Sequence, residues 1–279
     1  TALYSRYSLP WYYMLSGLVA VLVFFVGTKR LTKSWGVWRM PKTKKFERNL
    51  FWTAFILRAT WMLLIYWIFQ VNYGDAFGFE NSDTTFYHAM GEFTAGLFRH
   101  GDFAIRADIE RWKEHIDLSD MGYGYYVGLV YALTGNSIIM VRLLKCMWSA
   151  LTCVLIYRLG SRNFGEETGR LAAIMCMLWP NFWYYCGAHL KEVEMTFLGV
   201  LFVEQADQML KSRNFSVWKV VPILLISSAL FTIRVPLAIV TVLCLLFSVL
   251  MSSSRVVGWT KRIAVGILAV GFIGLTMGN

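Results

Sequence analysis

"LFWTAFILRATWMLLIYWIFQV", residues 50–71, is a run of 22 residues that carries one charge, Arg58. A bilayer core needs roughly 20 apolar residues in helical form, so this run predicts a membrane-crossing helix. Further apolar runs at 11–26, 137–159, 171–185, 189–210, 220–233, 237–251 and 263–277 predict seven more. The last three are each about 15 residues, near 22 Å in length at 1.5 Å per residue. Against a core of about 30 Å, either flanking residues extend these helices or the pair around Arg234 is partly re-entrant.

Composition agrees with this reading. Of 279 residues, 57% are hydrophobic and only 16% charged, which excludes an ordinary soluble domain and predicts an all-α polytopic membrane protein of about eight transmembrane helices. The run at 11–26 is followed, not preceded, by its charges and lacks a small-residue cleavage site, so it reads as a helix and not a signal peptide. The five cysteines (146, 153, 176, 186 and 244) have no CxxC spacing and lie in or beside apolar runs. They read as small buried hydrophobes.

The net charge of +10 is unevenly distributed. Residues 28–49 carry eight bases and one acid, and shorter basic loops follow at 158–170, 211–219 and 255–262. The long segment 72–136 instead carries ten acids and four bases. The positive-inside rule therefore puts the basic loops in the cytoplasm and the acidic loop 72–136 outside, a pattern that points to lipid and not to nucleic acid. Within that loop, Ile105, Ile109, Trp112 and Ile116 recur at spacings of four, three and four, which predicts a surface-lying helix over 103–117. A second interfacial helix is expected over 123–135.

Two polar clusters fall at external helix junctions. In "FENSDTTFYHAMG", residues 79–91, Glu80, Asp83, Tyr87 and His88 lie together. A partly desolvated carboxylate such as Asp83 can act as a general base, and it is equally suited to capping the helix that follows. In "CGAHLKEVEM", residues 186–195, a helix would place His189 and Glu192 on one face, with Lys191 reaching toward phosphate. Two ligands without a third make a poor metal site, so none is expected. Arg234, in an apolar external turn, offers a guanidinium fork that suits a phosphate or snorkels to headgroups. Arg58 faces the protein interior, with an acid or backbone carbonyls as partner.

Arg142 opening an inward helix, "YRLGSRNFG" (157–165) closing it, "GRLAAIMCMLWP" (169–180) rising outward and an acid beyond Pro180 together resemble the core of GT-C glycosyltransferases. The resemblance is to the branch of protein O-mannosyltransferases and aminoarabinose transferases. It covers about residues 50–250, so that the chain forms one transmembrane domain: an extra helix and basic loop at 1–49, a GT-C-like core at 50–251, and a last loop and helix at 252–279, where family members commonly continue. It implies a polyprenyl-phosphate-linked sugar donor, a lipid, protein or glycan acceptor on the outer side, and no cofactor or metal. By position, Asp83 and Glu192 match the catalytic carboxylates, Asp83 taking the acceptor proton with inversion. Lys191, Arg234, His189, Tyr87, His88 and Glu80 would line the substrate. The rival readings are a lipid flippase or transporter and a non-catalytic membrane subunit.

Overall fold

The computed structural model describes residues 43–77, 83–101, 121–211 and 219–251, together with Gly266. The expected helices at 11–26, 103–117 and 263–277 lie outside these residues, Gly266 apart, and so does Glu80. Among the described residues the protein is all-helical, with nine helices: α1 (Thr43–Tyr73), α2 (Asp83–Arg99), α3 (Met121–Thr134), α4 (Ile138–Phe164), α5 (Glu166–Leu178), α6 (Pro180–Gly187), α7 (Glu192–Lys211), α8 (Val220–Ile233) and α9 (Val235–Met251). The chain divides into two compact units, Thr1–Asn49 and Leu50–Asn279. The described part of the first is the opening of α1.

Two of the described helices are long and apolar enough to cross a membrane, α1 from Lys44 and the 27-residue α4. At 1.5 Å per residue α4 is about 40 Å long, ample for a core of about 30 Å. α8 and α9 are apolar but shorter.

Helix α4 is the axis of the unit. Ser137 caps it, its hydroxyl accepting from the amide of Met140 at 3.3 Å. α5, α6 and α7 pack along α4, and α7 in turn meets α8 and α9. There Phe202, Met209, Ile223, Leu230, Phe231, Ala238 and Leu245 form one apolar core. A second core joins α1, α4, α6 and α7 through Met62, Cys146, Cys186 and Val193.

The predicted single helix over 171–185 is two helices. Proline 180 has no N–H, and its ring opposes the carbonyl of residue 176, so the helix stops at Leu178 and restarts. Arg58, fully buried in α1, covers the freed helix end. Its Nη2 donates to the carbonyls of Cys176 and Met177 at 3.1 and 3.3 Å, and its Nη1 to Sγ of Cys153 at 3.3 Å. A cation at a helix C-terminus is favourable, and backbone carbonyls prove to be the partners Arg58 required. The four cysteines 146, 153, 176 and 186 are buried thiols, as expected, but Cys244 is exposed on α9.

At the C-terminal end of α4, Arg162 pairs with Glu204 at 2.7 Å and with Asp207 at 2.8 Å, and Lys211 pairs with Asp207 at 3.1 Å. The two acids that the sequence places in the last turns of α7 therefore face α4.

At the other end, α2 and α3 lie side by side and run in the same direction, with Met90 against Gly124, Thr94 against Gly128 and Arg99 against Tyr131. A Cβ on Gly128 would stand 2.6 Å from Thr94, so only glycine permits this approach. α3 ends in a left-handed turn, Gly135 and Asn136 at φ 71° and 63°, whose amides both return to the carbonyl of Tyr131. That turn feeds directly into Ser137, so the N-terminal end of α4 is set against α3.

Candidate functional site

Where α2, α3, the first turns of α4 and the segment before α7 meet, polar side chains are buried together. Arg142, Lys145, Ser149 and Thr152 lie at spacings of three, four and three on α4, forming one polar face, and all four are essentially inaccessible. Lys145 pairs with Glu194 of α7 at 3.3 Å, and its ammonium lies 5.1 Å from the centroid of the Tyr123 ring. Nη2 of Arg142 donates to the carbonyl of Ala76 at 2.8 Å, while its Nε and Nη1 have no partner. Lys191, almost buried, lies over the ring of Tyr87 at 5.6 Å.

His189 is at the centre of an aromatic cage. Its ring stands 6.0 Å from Phe77 and 6.2 Å from each of His88, Tyr123 and Tyr131, and it is nearly parallel to Tyr131. Neither of its nitrogens has a hydrogen-bond partner. Burial, with the charges of Lys145, Arg142 and His88 adding to it, holds this imidazole well below its usual range, so the ring is neutral. The Tyr123 hydroxyl is also buried and unpartnered, and burial raises its affinity for its proton.

His88, on the outer side of the cage, is hydrogen-bonded through Nδ1 to the Tyr131 hydroxyl at 2.7 Å, and its Nε2 stands 3.5 Å from the Glu92 carboxylate. Glu92 is fixed in turn by Asn136, whose Nδ2 donates to it at 3.2 Å. Arg99 donates both to Asn136 and to the Tyr131 carbonyl, each at 2.7 Å.

Glu192 faces a different space. With Trp179, Asn181, Phe182, Tyr185, Met195 and Thr196 it lines an open groove of about 360 Å³, and its Oε2 is buried with no partner. Its charge still reaches Tyr123 and Glu194.

Of the residues expected from sequence, Tyr87, His88, His189 and Lys191 converge in the cluster. His189 precedes α7 in a bend, so it does not share a helical face with Glu192 as expected. The structure has α7 begin only at Glu192 because the chain first turns inward to bury His189. Asp83 is exposed in the first turn of α2, not partly desolvated as expected. Arg234 is the exposed C-cap residue of α8, two residues beyond Thr232, which packs on Gly122 beside Tyr123. Arg142, Lys145, Glu194, Tyr123, Tyr131 and Glu92 were not expected as site residues. The basic pair spaced by three within an apolar run was the available signal for the first two. Among the described residues no group of three or more His, Cys, Asp or Glu is placed to hold a metal.

No family model, no curated protein and no solved structure matches this chain.

Proposed function

We propose that the protein is an integral membrane glycosyltransferase that moves a sugar from a polyprenyl-phosphate-linked donor to an acceptor hydroxyl on the extracytoplasmic side. One observation supports this reading most. Arg142, Tyr123, His189 and Glu194 all present buried polar atoms without partners, beside the buried cations Lys145 and Lys191. Native proteins leave few such atoms unpaired, each costing about 1–3 kcal/mol, so a gathering of them calls for a ligand. Two free guanidinium nitrogens beside an ammonium suit a phosphate. A neutral imidazole offers one donor and one acceptor to a hydroxyl.

In this proposal the lipid phosphate is held by Arg142, Lys145 and Lys191, with Arg234 at the rim. The sugar rests toward the groove, where Trp179, Phe182 and Tyr185 offer aromatic faces and Glu192 a carboxylate for its hydroxyls. Asp83, on the solvent side of α2, meets the incoming acceptor. The attacking oxygen displaces the phosphate from the opposite face of the anomeric carbon, which inverts its configuration. No metal is required, because the cations neutralise the leaving phosphate.

The same proposal includes the eight-span topology, with loop 72–136 outside. The site lies at the N-terminal end of α4, next to that loop. The ion pairs of Arg162 and Lys211 lie at the end that feeds the basic loops.

The test is incubation of the purified protein in lipid nanodiscs with polyprenyl-phosphate-linked hexoses and pentoses, following release of free polyprenyl phosphate. Acceptor-dependent release that Arg142→Gln abolishes supports the proposal. Donors that neither bind nor turn over would overturn it.

A further inference from the structure

The line Glu92, His88, Tyr131 is not needed to hold a phosphate, yet its members contact one another in sequence from α2 to α3. We infer that these three side chains form a proton relay joining external solvent to the buried cluster around His189, and that it removes the proton released when an acceptor hydroxyl reacts.

The geometry defines the direction. The Glu92 carboxylate, 3.5 Å from Nε2, favours a proton on that nitrogen by its charge and not through a hydrogen bond. Nδ1 is then the unprotonated nitrogen and accepts from the Tyr131 hydroxyl at 2.7 Å. A carboxylate, an imidazole and a hydroxyl in this order constitute the arrangement that makes a weakly acidic O–H able to take up a proton from a substrate. The Phe77 ring packs against the imidazole, its centroid 4.9 Å away and its plane tilted by 51°. The carboxylate is itself held by Asn136 and Arg99.

Exposure runs along the line. The Glu92 side chain is 47% exposed and that of His88 21%, whereas Tyr131 is fully buried against His189. A proton released inside therefore has an exit through the Tyr131–His88 hydrogen bond, past Glu92, that involves neither Lys145 nor Arg142, both cationic and unable to accept it.

The step balances, resting here on the glycosyl-transfer reading. As the acceptor oxygen bonds the anomeric carbon, the carbon–oxygen bond to phosphate breaks and its electron pair leaves with the phosphate. The acceptor proton passes to the Tyr131 oxygen as the phenol's own proton moves to His88 Nδ1. Glu92 stabilises the resulting imidazolium, which discharges to solvent. The charged and titratable groups facing His88 are Glu92 on its own helix, Asp75 after α1, Arg142 on α4, Tyr131 on α3 and His189 before α7. Glu92 and Asp75 favour the imidazolium, while burial and Arg142 oppose it.

The test has two independent readouts on the full chain in nanodiscs. The first is nitrogen NMR of labelled histidines, with the His88 signal assigned by its loss in His88→Gln. The expected result is an Nε2–H tautomer whose titration midpoint falls in Glu92→Gln and recovers in Glu92→Asp. An Nδ1–H tautomer, or a midpoint indifferent to Glu92→Gln, would overturn the relay. The second is polyprenyl phosphate release against pH. Tyr131→Phe removes one oxygen and should lower the rate about a hundredfold. In the parent protein the rate should decline as acid protonates His88, at a midpoint that Glu92→Gln shifts downward. Wild-type turnover in Tyr131→Phe would refute the proposal. If the NMR result holds and no lipid-linked sugar reacts, the relay stands and the transferase reading fails.

Discussion

Lys145 and Glu194 form an ion pair of 3.3 Å, with their side chains 0% and 7% exposed. A pair so enclosed gains little net stability from being ionic, but removing one member strands the other charge. Lys145→Met should therefore destabilise the protein by about 3–5 kcal/mol, and Lys145→Met with Glu194→Leu should regain most of that loss. Thermal unfolding in detergent checks this. Equal losses in the single and double variants would show that packing, not charge, governs the site.

Acid should destabilise the fold through His189. Its folded proton affinity is well below the ordinary value of about 6.5, so below that pH the unfolded chain binds a proton that the folded chain refuses. Stability is intact above about pH 6.5 and falls by about 1.4 kcal/mol per pH unit as the pH drops toward the folded value. His88, lowered chiefly by its burial, acts in the same direction. His189→Gln should flatten the acid limb of a stability–pH curve, and an unchanged slope would mean that His189 is protonated in the native state.

The contact of α2 with α3 rests on the missing side chain at residue 128. Gly128→Ala should cost about 1–3 kcal/mol, since the methyl meets Thr94 at 2.6 Å and backbone as well as side chain must shift. Because the same contact positions Tyr131, release of polyprenyl phosphate should slow as stability falls. A fully stable Gly128→Ala protein would contradict the packing described.

The candidate site separates residues by effect. Arg142→Gln should lower transfer by about a hundredfold or more, on the scale of a lost charge-stabilising donor. Glu192→Gln should raise the donor concentration needed for half-maximal release. Asp83→Asn, exposed at a helix start, should leave unfolding unchanged and reduce transfer less than Arg142→Gln does. The three release rates, measured side by side, decide the order, and an Asp83→Asn protein devoid of activity would make Asp83 the proton acceptor.

The sequence carried the helical architecture because apolar periodicity is a local property. The runs at 50–71, 137–159 and 220–233 became α1 (Thr43–Tyr73), α4 (Ile138–Phe164) and α8 (Val220–Ile233), the first two longer than expected and the last with both ends unmoved. Pro180 was the available signal for the break between α5 and α6, but hydropathy reads straight across a proline. The fate of Arg58 was legible as a class of partner, not as the carbonyls of Cys176 and Met177 more than a hundred residues away. The site was harder to foresee. His88 meets Tyr131 across 43 positions, and nothing in either segment alone marks the other. Asp83 drew attention by residue type and position, whereas the structure gives the desolvated environment to Glu194, a residue passed over because its neighbour Glu192 fitted a motif.

The clasp of Arg162 on Glu204 and Asp207 bears on how a bulky substrate enters. It fastens α4 to α7 at the tip remote from Arg142, while the Lys145–Glu194 pair ties the same two rods near the other tip. Rods tied at both tips cannot part like the blades of shears, so under the proposed function a prenyl tail would slide in alongside this pair of helices and not between them.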